Sequence, residues 1–130
     1  MLKPETIVKE YTTLLEHLKK FNKDLKIVFT ISPVRHWKDG AVQNQQSKST
    51  LILAIQQLLA ENPEIEYFPS YEIMMGKFRE YRFYAEDMLH PDRTAMKYLW
   101  QGFSDTYIKK STRKLMDKVE EIIKARDHKP

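Results

Sequence analysis

The pair Asp87 and His90 is the feature of this sequence whose residue types and spacing best fit catalysis. The two residues stand three positions apart in the aromatic-rich run 81–91, which ends in Pro91. In serine hydrolases a histidine accepts the proton of the nucleophile, and a carboxylate holds the imidazole in the required tautomer. The spacing therefore predicts that His90 acts as a general base and that its Nδ1 donates to Asp87, or to a backbone carbonyl if Asp87 points elsewhere. The alternative is a surface histidine that precedes a helix, with Asp87 in an ordinary turn.

A second polar cluster, residues 32–36, follows the first predicted strand. Arg35 is a candidate contact for an anion and His36 a candidate polarising donor, whereas a basic loop balanced by Asp39 is the alternative. Sites in open α/β sheets form beyond the carboxyl ends of the strands, and both clusters follow a strand. We therefore expect the two clusters to converge. The predicted substrate-binding residues are Ser32, Arg35, His36 and Tyr84, although an aromatic residue such as Tyr84 is also typical of a core.

A serine nucleophile is not evident from the residues. No G-x-S-x-G motif is present, and none of the serines has a glycine neighbour that would let the backbone approach an oxyanion. Ser32 has the best position, at a strand end, but Pro33 follows it directly. The sequence also has no Walker loop, no G-x-G-x-x-G and no H-x-x-H or H-E-x-x-H spacing. No cofactor and no metal are therefore expected.

The order of helical and strand patterns predicts an α/β fold with parallel strands flanked by helices. The predicted helices cover 5–22, about 51–62, 70–78, a segment from 91 onward and about 108–126; the predicted strands cover 25–31 and 65–69. The first strand, apolar on both faces, is expected to be buried between helix layers. Pro91 is expected to open its helix, and Ser70 to cap the short one. The stretch 34–50 is polar and is expected to precede the second helix.

The last two helices are expected to bury their apolar residues. The residues expected to face inward are Ala95, Met96, Leu99, Trp100 and Phe103 in the first, and Ile108, Leu115, Val119, Ile122 and Ile123 in the second. Two strands are few for a stable parallel sheet. The sequence therefore predicts a portion of a larger α/β domain, or a chain that completes its sheet with a partner.

The composition indicates a globular chain and limits its partners. The 130 residues are 42% hydrophobic and 31% charged, with no cysteine, so disulfides and thiolate metal sites are excluded. No apolar stretch approaches the roughly 20 residues of a membrane span, and we expect a cytoplasmic protein. The net charge of +4 comes from residues 107–130, which carry 8 basic and 4 acidic residues. Because the acidic residues are interspersed, a solvated helix is favoured over the alternative of nucleic-acid binding.

Several runs of the sequence resemble the GSCFA domain family. They are Thr30-Ile31-Ser32-Pro33-Val34-Arg35-His36-Trp37-Lys38-Asp39-Gly40, Asn44-Gln45-Gln46-Ser47-Lys48-Ser49-Thr50-Leu51, Tyr67-Phe68-Pro69-Ser70-Tyr71-Glu72-Ile73-Met74-Met75 and 81–91. The resemblance spans about residues 5–107. It implies the flavodoxin-like three-layer fold of the SGNH (GDSL-like) hydrolases, and a source among Bacteroidetes-type bacteria, in which the GSCFA family is mainly found. It also implies that Asp87 and His90 are the acid and base of an ester hydrolase.

The resemblance also implies a nucleophile that this sequence does not contain. The family's serine belongs to a Gly-Ser-Cys-Phe-Ala motif near the start of the domain, and neither that motif nor any cysteine is present here. Residues 1–107 are therefore expected to be the C-terminal portion of such a domain and 108–130 a basic helix. The implied substrate is a small ester or an acylated glycan. The alternative is a non-catalytic remnant or interaction module that completes its sheet by homo-oligomerisation.

Overall fold

The computed structural model of the protein describes residues 2–127. Its helices are α1 (Pro4–Phe21), α2 (Ala41–Glu61), α3 (Ser70–Lys77), α4 (Arg93–Tyr107) and α5 (Lys110–Asp127); its strands are β1 (Val28–Thr30) and β2 (Glu66–Phe68); a 3-10 turn covers Tyr81–Phe83. The described residues therefore form a helix-rich chain with a small parallel sheet, which agrees with the predicted α/β class.

The sheet consists of β1 and β2, which pair in parallel with Val28 opposite Glu66 and Thr30 opposite Phe68. The parallel pairing is confirmed, but each strand has only three residues. The expectation that the first strand is buried on both faces is wrong, because Val28 and Phe29 are half-buried and Thr30 is exposed. Within the described residues the sheet is only two strands wide, so one edge of β1 has no partner.

Three apolar clusters hold the elements together. The first joins α1 to α2 and the start of β2 through Val8, Leu15, Ala54, Leu58 and Ile65. The second joins α3, the chain after the 3-10 turn and α4 through Met74, Phe78, Tyr84 and Ala95. The third joins the end of β1 to α2 and α3 through Ile31, Ile55 and Tyr71. Ile31 directly precedes residues 32–36 and Tyr84 lies within residues 81–91. The clusters therefore hold both segments that were predicted to carry functional residues.

Two helices begin elsewhere than predicted. Helix α2 starts at Ala41, after Gly40 with a φ of 92°, and so covers part of the stretch 34–50. Its first turns are largely exposed, which is why they lack an apolar period. Helix α4 starts at Arg93 and not at Pro91, because the Asp92 carboxylate caps it by accepting from the Ala95 N–H at 2.8 Å.

Ser70 is not a helix cap. Pro69 occupies the cap position of α3 without any side-chain hydrogen bond, and Ser70 is the first helical residue. The buried Ser70 hydroxyl donates instead to the Ile31 carbonyl at 2.6 Å and lies 2.7 Å from the Thr30 hydroxyl. This side chain therefore ties α3 to the end of β1.

The apolar faces of α4 and α5 are buried less than predicted. Ala95 and Leu99 are buried and Phe103 half-buried, but Met96 and Trp100 are each 52% exposed. Helix α5 has no buried residue among those described, and its apolar residues Leu115, Val119, Ile122 and Ile123 are all exposed. The polar pair Arg113–Asp105 joins α5 to α4, and the apolar stripe of α5 remains exposed.

Candidate functional site

A tight loop, residues 84–91, carries Asp87 and His90; we call it the His90 loop. Tyr84 and Pro91 close its base in an antiparallel bridge, and the Ala85 N–H donates to the His90 carbonyl at 2.8 Å. The Met88 N–H donates to the Ala85 carbonyl at 2.9 Å, which makes a turn at the tip. The backbone of the loop is thus bonded to itself on both sides of Asp87.

Met88 lies at this tip in a left-handed conformation, with a φ of 59°. Residues other than glycine, asparagine and aspartate seldom adopt this conformation, which is strained for a side chain such as methionine. The conformation allows the chain to reverse between Asp87 and Leu89, so that the N–H groups that follow turn back toward the Asp87 carboxylate. The strained residue therefore shapes the site.

The Asp87 carboxylate binds both the backbone and the imidazole. Its Oδ1 accepts from the Leu89 N–H at 2.9 Å and from the His90 N–H at 3.0 Å, and its Oδ2 lies 2.6 Å from His90 Nδ1. The predicted contact between these side chains is present. Because an ionised carboxylate only accepts, we assign the proton to Nδ1, and His90 Nε2 is then an acceptor.

These contacts lower the pKa of Asp87 from 3.8 to about 2. The largest causes are the backbone hydrogen bonds from His90 and from Leu89, and the hydrogen bond from the imidazole comes next. The carboxylate therefore stays ionised at neutral pH. It can orient His90 and stabilise its imidazolium form.

Arg35 connects the polar cluster 32–36 to the His90 loop. Its N–H donates to the Leu89 carbonyl at 3.1 Å, and its guanidinium lies 3.8 Å from the centre of the Tyr84 ring. One guanidinium nitrogen also lies 3.5 Å from the Met88 carbonyl oxygen. The side chain predicted to contact an anion thus stacks on the loop and holds it in place.

Tyr84 belongs to the core beneath the loop. It is 6% exposed and packs with Met74, Phe78 and Ala95. Its hydroxyl is buried and has no hydrogen-bond partner among the described residues. The ring therefore supports Arg35 and the loop from below.

Ser32 lies at the carboxyl end of β1, beside an apolar cavity of about 430 Å³. Segment 32–34 forms one wall of this cavity, and Phe68, Leu99 and Phe103 contribute to the others. The Ser32 hydroxyl is exposed and accepts from the Val34 N–H at 3.2 Å. Arg35 directly follows this wall and donates its N–H to the Leu89 carbonyl, which links the wall of the cavity to the His90 loop.

His36 makes its contacts with a different part of the chain. Its Nε2 lies 3.5 Å from Asp39 Oδ2, and its backbone N–H donates to the Asn44 side-chain oxygen at 2.8 Å. A cavity lined by His36, Asp39, Gln43 and Ser47 lies here. None of these contacts involves Asp87 or His90, so the expected convergence holds for Arg35 and not for His36.

Two residues of this region were not found from the sequence. Lys48 donates from Nζ to the Ser32 carbonyl at 2.7 Å, and its position on α2 was hidden because the start of that helix was missed. Met88 carries no sequence signal for a left-handed conformation, since that signal is a glycine, asparagine or aspartate.

Among residues 2–127, no three His, Asp or Glu side chains form a group that could hold a metal. No helix in the same range is long and apolar enough to cross a membrane.

Comparison with curated proteins and with solved structures gave no match. The sequence model of the GSCFA family does match, over residues 1–103. That range includes β1, β2, the His90 loop, Arg35 and Lys48, and therefore the whole of the site described above. The chain belongs to the GSCFA family.

Proposed function

We propose that this chain carries the acid/base half of an ester (acyl) hydrolase site, with Asp87 and His90 as the working pair. The observation that supports the proposal best is the 2.6 Å contact between Asp87 Oδ2 and His90 Nδ1, on a carboxylate anchored by two backbone N–H groups. The two backbone bonds fix the carboxylate, and a fixed carboxylate can hold the imidazole in one tautomer.

The reaction would proceed as in other serine hydrolases. His90 Nε2 accepts the proton of a serine hydroxyl while the serine oxygen attacks the ester carbonyl. The imidazolium that forms is stabilised by Asp87 and then protonates the leaving alcohol as the C–O bond breaks. Water attacks the acyl-enzyme in the same way, and His90 again takes and returns the proton. Asp87 stays ionised throughout, in keeping with its low pKa.

The nucleophile and the substrate are the remaining parts of the proposal. Ser32 is followed by Pro33 and its hydroxyl already bonds to the Val34 N–H, so we propose that a serine outside this sequence is the nucleophile. The three-layer fold of SGNH hydrolases would bring that serine to His90. The apolar cavity beside Ser32 suits the acyl group of a small ester or an acylated glycan. Cytoplasmic localisation, expected because no apolar stretch of the sequence is long enough for a membrane span, stays a prediction.

Two experiments test this function. In a GSCFA protein that contains the serine motif, replacing the residue equivalent to His90 by alanine should lower ester turnover at least about 10³-fold. The matched control replaces the residue equivalent to His17, an exposed histidine on α1 with no predicted role in the site, and should leave turnover within a few-fold. Equal turnover in both variants would contradict the role of His90.

The second experiment uses this chain alone. A serine-directed fluorophosphonate, read by intact mass, should leave the purified chain unlabelled, as it should the His90→Ala variant. An adduct that depends on His90 and maps to Ser32 would show that the chain supplies its own nucleophile, and would overturn that part of the proposal.

A specific observation also favours a second candidate, an interaction module that completes its sheet by homo-oligomerisation. Within the described residues β1 has a free edge, and α5 exposes an apolar stripe that includes Leu115 and Ile122. Sedimentation equilibrium should then show association at micromolar concentration that Leu115→Glu weakens. A cooperatively folded chain that stays monomeric would exclude this candidate.

A further inference from the structure

Lys48 is the one charged residue that is buried among those the structure describes, with 8% of its surface exposed. Charged side chains are seldom buried unless they are paired, because removal of a charge from water is costly. A buried lysine therefore raises the question of what neutralises its charge.

Among the described residues, the Lys48 ammonium group has a hydrogen-bond acceptor for only one of its three N–H donors. Its Nζ donates to the Ser32 carbonyl at 2.7 Å and lies 5.6 Å from the centre of the Tyr71 ring. An ammonium group has three donors, so two remain, and no described carboxylate forms an ion pair with it. Burial lowers the pKa of Lys48, as expected where no anion compensates the loss of water.

Lys48 lines a cavity of about 210 Å³ between α1, β1 and α2. The cavity walls are mainly apolar and include Ile7, Tyr11, Phe29, Leu51, Ile55 and Leu58. The polar groups beside Lys48 are those of Thr30 and Ser32. A ligand that matches this surface has one negative head for the amine and a short apolar tail for the walls.

We propose that this cavity binds a small monocarboxylate with an apolar tail, and that its carboxylate pairs with the Lys48 amine. Carboxylate oxygens suit the two remaining N–H donors, and the tail replaces water along Ile7, Leu51 and Ile55. The site stands apart from the chemistry proposed for His90, since no residue of the His90 loop lines it. A carboxylate from a second copy of the chain would supply the same head, and the experiment separates the two sources.

The probe is octanoate, titrated into the full chain and followed by isothermal calorimetry and methyl NMR. Octanol and octylamine serve as probes without the negative charge. Lys48→Met removes the charge and keeps most of the stem, and Lys23→Met is the control because Lys23 lies exposed in the turn after α1. We expect octanoate to bind at least about tenfold more tightly than either uncharged or cationic probe, and Lys48→Met to lower its affinity at least about tenfold.

A second readout needs no variant, in case Lys48→Met folds poorly. Octanoate methylene protons should show NOEs to the methyl groups of Ile7 and Ile55 in the unmodified chain. Equal binding of octanol, or NOEs only to residues outside the cavity, would overturn the proposal. A dimer that Lys48→Met dissociates, without octanoate binding, would also overturn it and assign the carboxylate to a second copy.

Discussion

The low pKa of Asp87 gives a test of how the His90 loop is built. The carboxylate receives two backbone N–H groups and one imidazole N–H, and the backbone bonds are the two largest causes of the fall from 3.8 to about 2. If the imidazole is removed in His90→Ala, the N–H groups of residues 89 and 90 remain in place. We therefore expect the pKa of Asp87 in His90→Ala to rise from about 2 but to stay below 3.8.

The measurement is a ¹³C NMR titration of the Asp87 carboxyl carbon from pH 6 down to the acid limit of folding. His36→Ala is the matched control, since it removes another histidine paired with an aspartate three positions away. The pKa of Asp87 should stay near 2 in that variant. A pKa of 3.8 or higher in His90→Ala would refute the reasoning, because the backbone would then contribute nothing.

The same shift gives a pH dependence of stability with a definite sign. The folded-state pKa of Asp87 lies below its value in the unfolded chain, so the unfolded state binds more protons as the solution is acidified. The stabilising contribution is complete above pH 3.8 and is lost as the pH falls through about 2. Urea midpoints of the unmodified chain and of Asp87→Asn should therefore converge in that window. A difference that stays constant down to pH 2 would contradict the assignment.

Three further predictions concern stability and are measured by urea unfolding. Met88→Ile, a β-branched residue forced into a left-handed conformation, should destabilise the chain by about 1 to 2 kcal/mol relative to Met88→Gly, and equal stability would contradict the observed φ. Asp92→Ala should cost about 1 kcal/mol through loss of the α4 cap, while Asp92→Asn keeps most of it; an equal loss in both would argue against capping. Leu58→Ala, at a position 1% exposed, should cost about 2 to 5 kcal/mol. Leu115→Ala, at a position 61% exposed, should stay within about 0.5 kcal/mol, and similar losses at the two sites would mean that α5 is packed.

The pattern of apolar residues was sufficient to predict most elements of the fold. The spacing along 5–22 predicted α1 to within one residue at each end, and the runs 25–31 and 65–69 contain β1 and β2. Their parallel pairing follows from the helix that separates them. The start of α2 could not be predicted in the same way, because its first turns lie in solvent and carry no apolar period.

The burial of α4 and α5 was predicted incorrectly for a related reason. An apolar stripe shows which face of a helix would be buried, but not whether another element covers it. Trp100 and Ile122 belong to such stripes and remain exposed in the described chain. The position of Asp92 was a better signal for the start of α4 than Pro91, because its carboxylate accepts from a free N–H of the first turn and proline has no side-chain acceptor.

In the candidate site, the local contact was predicted from the sequence and the long-range contacts were not. The spacing of Asp87 and His90 predicted their contact, since three residues of a tight turn suffice to bring the side chains together. The roles of Arg35 and Lys48 depend on contacts between segments far apart in the sequence, to Leu89 and to Ser32, which no local pattern encodes. The left-handed Met88 is held by the bonds around it and not by its own preference.

The tautomer of His90 is the most direct test of the proposed acid/base pair. Long-range ¹H–¹⁵N NMR, at a pH where the imidazole is neutral, distinguishes a proton on Nδ1 from one on Nε2. We predict a proton on Nδ1, bonded to Asp87, and a free Nε2 that can accept a proton; in Asp87→Ala this preference should be lost. A proton on Nε2 in the unmodified chain would leave no base for a nucleophile and would contradict the proposed role of His90.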